Sequence, residues 1–128
     1  MSVPLFATSL DRQMPALTER LAAVARGGRY ILGPEVVAFE REFADHLGVR
    51  HAIGVANGTD AITIALRALG VGPGDEVVCP SFTFYATVEA TVSTGATPVY
   101  CDVDPATMCV TAEAVRAAVT PRTKAVGA

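Results

Sequence analysis

Apolar positions recur at helical spacing in the first part of the chain, and in short unbroken runs after His51. Leu17, Leu21 and Val24 share one helix face, and Gly27-Gly28 stops that helix. A loop from Arg29 to Gly33 leads to Pro34, whose fixed φ suits a first helical position. Val36, Phe39, Phe43 and Leu47 then form the apolar stripe of a second helix. Glu35, Glu40, Arg41 and Glu42 lie largely outside that stripe, and Gly48 ends it.

From His51 the rhythm changes. "HAIGVA" (51–56) reads as a short buried strand, followed by a helix from Gly58 to Leu69 with Ile62, Ala65, Leu66 and Leu69 on one face. Gly70 closes it, "GPGDE" makes a turn, and "EVVC" is the next strand. Phe84 to Thr94 is expected to be a helix whose small residues, Ala86, Ala90, Thr91 and Thr94, allow close approach to a neighbour. "TPVYCDV" is another strand, with Asp102 and Asp104 at its end. In "VTAEAVRAAV", Thr111 caps a helix that turns Val115, Ala118 and Val119 inward. "TKAV" opens a further strand shortly before the sequence stops, which suggests truncation. Alternating strands and helices, with continuously apolar strands, imply an α/β fold around a mainly parallel, covered sheet.

Composition narrows the possibilities. Hydrophobic residues make up 51% of the 128 positions, so a core is available and a disordered chain is excluded. The net charge of −3 comes from scattered residues of both signs, which argues against nucleic acid as a partner. No run approaches the roughly 20 apolar residues of a membrane span. The start, Met1 to Leu10, lacks the basic-then-apolar order of a signal peptide, so the expected location is cytoplasmic. Cys79, Cys101 and Cys109 lack metal-ligand spacing and read as reduced, mostly buried thiols.

Ligands of open α/β sheets gather at the carboxyl ends of the strands, where two stretches draw notice. Asn57-Gly58-Thr59-Asp60 joins a strand to a helix start, whose free N–H groups and dipole suit a phosphate. Gly58 permits close approach and Thr59 adds a hydroxyl. Asp60 fits only if it offers its N–H and turns its carboxylate away. Taken alone, the stretch is equally an ordinary turn capped by Asn57. Pro80-Ser81-Phe82-Thr83-Phe84-Tyr85 follows the next strand, and its rings could cover a planar ligand or sit in the core.

Read in order, "GTDA", "GPGDEV", "PSFTF", "GATPVYCDVDPATMCV" and "TPRTKAV" closely resemble the amino-terminal part of the DegT/DnrJ/EryC1/StrS sugar aminotransferases, pyridoxal-phosphate (PLP) enzymes of fold type I. "VPLF" and "GRYILGPEVVAFEREFADHLGV" extend the resemblance over nearly the whole chain. It implies two leading helices (1–50) and an incomplete PLP-binding large domain (51–128). It also implies that Gly58, Thr59 and Asp60 hold the cofactor phosphate, that Phe84 stacks on the pyridine ring, and that Tyr30 lies near the substrate entrance. In that fold, strands from later in the chain separate the first strand from the second.

The implied activity is transfer of an amino group, usually from glutamate, to a nucleotide-linked keto-sugar, by a homodimer when full length. Such enzymes serve polysaccharide or antibiotic biosynthesis. The family's Schiff-base lysine and its pyridine-pairing aspartate belong beyond residue 128. Lys124, the sole lysine, lies outside that motif, so no catalytic residue is expected in this chain and the chain alone is expected to be inactive. Asp102 and Asp104 are expected to cap or to pair with charges. Within the family the alternatives are a dehydratase with histidine in place of the lysine, or an aminocyclitol- or aminobenzoate-type synthase. Outside it they are a non-catalytic module binding a phosphorylated ligand, or an inert fragment.

Overall fold

A computed structural model describes residues 12–127; the "VPLF" stretch and the start of the chain lie outside them. The described chain forms two compact units, meeting in sequence at Gly54 and Val55. The first holds helices α1 (Met14–Gly27) and α2 (Pro34–Leu47). Both end where the pattern places them, because Gly28 (φ 66°) and Gly48 (φ 67°) take the left-handed conformation that closes a helix. Pro34 opens α2, and Phe39 stacks on Phe43 with ring centroids 5.5 Å apart. The stripes are otherwise open: Leu21, Phe39 and Leu47 are all more than half exposed.

The second unit is a three-stranded parallel sheet with helices. In chain order it comprises α3 (Gly58–Ala68), β1 (Glu76–Pro80), α4 (Ala86–Ser93), β2 (Thr97–Cys101), α5 (Ala112–Ala118) and β3 (Thr123–Val126). The strand order β2-β1-β3 puts β1 at the centre, buried along its whole length. Val77 and Cys79 join Leu66, Val71 and Ala96 in the core, with Ile62 and Ala125 packed against it, while Val78 is fully buried on the opposite face. The small residues of α4 do bury, with Ala90 and Thr91 almost wholly covered. Thr111 caps α5 by accepting from Ala114 N–H at 3.1 Å. Val115 and Ala118 are half-buried, but Val119 is exposed because the helix ends before it and its backbone is extended.

Two strand-level differences stand out. Residues 51–56 form no strand, and Ile53 is 79% exposed. The resembled fold sets strands from later in the chain beside this run, and none of the described strands pairs with it. In β3, Glu76 pairs with Thr123 but Val77 pairs with Ala125, so the ladder passes over Lys124. Cys79 and Cys101 are buried and Cys109 is exposed, and all three are free thiols. Burial pushes the Cys79 thiol up, against a weaker opposing contact from Thr91, so it stays protonated and inert.

The amino end of β1 is held by a charged clamp. Glu76 accepts from Thr120 Oγ1 on one carboxylate oxygen, and from Arg122 Nε (2.9 Å) and a terminal Arg122 nitrogen on the other. Glu76 N–H also donates to the Arg122 carbonyl at 2.9 Å. The Thr120 hydrogen bond first, and then Arg122, hold the Glu76 carboxyl below the usual carboxylate range, despite its burial. A depressed folded-state pKa means that the clamp contributes fully above the ordinary carboxylate range and is lost as pH falls through the lowered value. Thermal unfolding followed by circular dichroism should therefore show the midpoint dropping on acidification through that window. Glu76→Gln should lower the midpoint at neutral pH and flatten the acid dependence.

Candidate functional site

Arg67 donates to the Ser93 carbonyl at 3.0 Å, and the Thr63 and Ser93 hydroxyls lie 3.2 Å apart. The last turns of α3 and α4 therefore meet, and each leads by a short turn into the amino end of a strand, β1 or β2. Pro80–Tyr85 lies just beyond the carboxyl end of β1, and Asn57–Asp60 lies at the opposite end of α3 from its junction with β1.

At the start of α3, Asn57 is extended (φ −163°) and caps the helix. Its Oδ1 accepts from Asp60 N–H at 2.8 Å, and its Nδ2 donates to Asp60 Oδ2 at 3.0 Å. The Ala61 N–H returns to the Asn57 carbonyl at 3.1 Å. The sequence reading has Asp60 presenting its N–H to an anion; in the structure that N–H is taken by the cap. Gly58 and Thr59 remain as donors with no acceptor among the described residues. Beyond its chain neighbours and the helix's own first turn, nothing lies within 4 Å of the Cβ position at Gly58, so that side of the helix start is open.

After β1, Pro80 ends the strand and residues 81–85 lead into α4. Phe82 and Phe84 are 66% and 78% exposed, which removes the option that they are core residues of this unit. Ser81 N–H donates to the Cys101 carbonyl (2.8 Å) and its hydroxyl to Asp102 Oδ1 (3.1 Å). The Thr83 and Thr87 hydroxyls are 3.3 Å apart. Beside this segment a cavity of about 440 Å³ opens between Pro80–Thr83 and the Val103–Val110 loop. Asp104 builds that loop, accepting from Ala106 (2.6 Å) and Thr107 (3.1 Å) N–H groups.

Tyr30 belongs to the first unit, 70% exposed, with its hydroxyl donating to the Ala25 carbonyl at 3.0 Å. Lys124 lies at the amino end of the sheet, 3.9 Å from Asp75, and so at the end away from Pro80 and Ser81. The sequence reading missed the Ser81–Asp102 bond. Its one local signal was a proline, which has no ladder N–H, followed directly by a hydroxyl residue.

This is an α/β unit with open donors at one helix start and exposed rings just beyond the carboxyl end of the central strand of a parallel sheet, as in part of the fold-type-I PLP-transferase large domain. The DegT/DnrJ/EryC1/StrS aminotransferase family matches residues 12–127, and the chain belongs to that family. It is 53% identical over 121 residues to a UDP-2-acetamido-2-deoxy-3-oxo-D-glucuronate aminotransferase of Pseudomonas aeruginosa, covering 91% of this chain and 34% of that protein. It is 54% identical over 94 residues to a 3-amino-5-hydroxybenzoate synthase of Amycolatopsis mediterranei, covering 73% of this chain and 24% of that protein. A crystal structure of a Bacillus subtilis protein with bound cofactor PMP superposes with a TM-score of 0.87 at 36% identity, over 97% of this chain and 29% of that one. The chain thus spans about a third or less of the length of these relatives. No helix among the described residues is long and apolar enough to cross a membrane.

Losing the Asn57 cap should cost about 1 kcal/mol. Asn57→Ala should lower the denaturant midpoint accordingly, while Asn57→Ser, which keeps an acceptor, should recover most of the loss.

Proposed function

We propose that this chain is the amino-terminal portion of a PLP-dependent aminotransferase that moves an amino group, with glutamate as donor, to a nucleotide-linked keto-sugar. The observation that carries this reading is the presence, in one α/β unit, of two open N–H groups at a helix start and an exposed aromatic ring after the central strand. The residues present suit the phosphate and ring of such a cofactor. Gly58 and Thr59 would bind the phosphate through their N–H groups, aided by the Thr59 hydroxyl and the dipole of α3. Asp60 contributes by holding Asn57, and so the helix start, in place. Phe84 would cover one face of the ring, excluding water and fixing its tilt, a contact worth about 0.5–1.5 kcal/mol beyond burial. The cofactor, when bound, supplies the electron sink and the amino carrier.

The proposal extends to the whole protein: 1–50 as a leading helical segment, 51–128 as part of the large domain, Tyr30 near the substrate entrance, and a cytoplasmic homodimer. Lys124 has no place in it, since it points to the opposite end of the sheet. The likeness to a 3-amino-5-hydroxybenzoate synthase favours a second reading, in which the keto substrate is a carbocycle rather than a nucleotide-linked sugar.

Three measurements test this. In the full-length protein, Phe84→Ala should raise the PLP dissociation constant by roughly 2- to 12-fold, the equivalent of the stacking contribution, without lowering the melting temperature. Unchanged retention would remove the stacking role. With residues 1–128 alone, PLP followed by borohydride should leave Lys124 unmodified on peptide mapping. A saturable, trapped adduct there would overturn its exclusion. Incubating the full-length enzyme with glutamate and either a nucleotide-linked keto-sugar or a keto-carbocycle separates the two substrate readings.

A further inference from the structure

The segment that carries Phe84 has almost nothing to hold it by packing. Phe82, Phe84 and Tyr85 are each about two-thirds exposed or more. An exposed ring takes its position from its backbone, so the anchors at the two ends of the segment decide where it sits. The rear anchor is the first turn of α4, where Thr87 N–H reaches the Phe84 carbonyl (3.2 Å) and Thr83 Oγ1 meets Thr87 Oγ1. The front anchor stands at a weak point. Pro80, the last residue of the central strand, has no N–H to give the ladder. The next residue makes good that loss twice, with Ser81 N–H to the Cys101 carbonyl and the Ser81 hydroxyl to Asp102 Oδ1. Asp102 directly follows β2, and the register pairs Pro80 with Cys101, so the bond ties the exits of two neighbouring strands. A carboxylate acceptor makes it a charge-assisted bond, stronger than a neutral one.

We infer that Ser81 and Asp102 are positioning residues: their hydrogen bond fixes the exit of the central strand, and through it the placement of the Phe84 ring against the cofactor. This rests on the stacking role proposed for Phe84, and the test separates the two. Neither residue touches the cofactor in this scheme, so both should act only through Phe84.

The experiment compares Ser81→Ala, Asp102→Ala, the double variant and the rescue variant Ser81→Thr in the full-length protein. It reads amide hydrogen exchange over residues 82–85, the PLP dissociation constant and the melting temperature. Ser81→Ala and Asp102→Ala should each speed exchange across 82–85 and weaken PLP by roughly 3- to 10-fold, in the range of one lost hydrogen bond, with the melting temperature unchanged. The double variant should be no worse than either single one, because one shared bond is lost. Ser81→Thr should restore both readouts. In a Phe84→Ala background, Ser81→Ala should leave PLP affinity where Phe84→Ala put it. Unchanged exchange over 82–85 would overturn the tether. Faster exchange with unchanged PLP affinity, while Phe84→Ala alone weakens it, would overturn the positioning role but leave stacking intact. A full additional loss in the Phe84→Ala background would show that Ser81 acts by another route. If Phe84→Ala itself has no effect, the stacking role falls and the positioning role falls with it, whatever exchange shows.

Discussion

The carboxylate of Glu76 sits where three pieces of chain meet: the start of the central strand, the Thr120 turn and the entry to the third strand. A carboxylate removed from water must be matched by donors, and Thr120 and Arg122 supply them. The match anchors β3 beside β1 by side chains as well as by backbone, although their ladder is short and irregular. With β1 flanked on both sides and covered on both faces, its other end emerges at a defined place. The Ser81 segment and the Phe84 ring follow from that place. A charged cluster at one end of the sheet thus gives the segment leaving the other end a fixed frame.

The two units are stabilised differently. In the second, Val77, Val78 and Cys79 are almost wholly removed from water, and helices cover the sheet. In the first, α1 buries no residue and α2 only Ala44, so these helices rest on their caps, on Pro34 and on local pairs such as Phe39–Phe43. Tertiary packing of an apolar face supplies most of a helix's stability in proteins. The open stripes of Leu21, Phe39 and Leu47 therefore leave these helices without that contribution.

Signals carried by single residues were legible in the sequence. The stops at Gly28, Gly48 and Gly70, the Pro34 start and the Thr111 cap each depend on local backbone chemistry and read true. The strands at 76–80, 97–101 and 123–126 also fell within or over the stretches expected, "EVVC", "TPVYCDV" and "TKAV", the second ending two residues early. The misreading of 51–56 has a simple origin: an apolar run states a readiness to be buried but not the presence of a neighbour to pair with. Asn57 was legible as a cap, yet the cap bond itself takes the Asp60 N–H and so changes which N–H groups stay open. The Ser81–Asp102 bond could not be read at all. It joins residues 21 positions apart, and only the strand register brings them together.

The passing over of Lys124 has a mechanical meaning. Had the ladder continued regularly from the Glu76–Thr123 pair, the lysine would stand opposite Val77, on the face that enters the core, and Ala125 would be turned out of it. The extra residue acts instead as slack. It lets the strand be fixed at its start by the Thr120–Arg122 turn and at its finish by the Gly127–Val78 bond (2.9 Å), though β3 takes one residue more than β1 between the pairs at the two ends. The sheet meets two fixed boundaries at once by spending one residue as tolerance, and the residue spent is the one whose charge is best left in water.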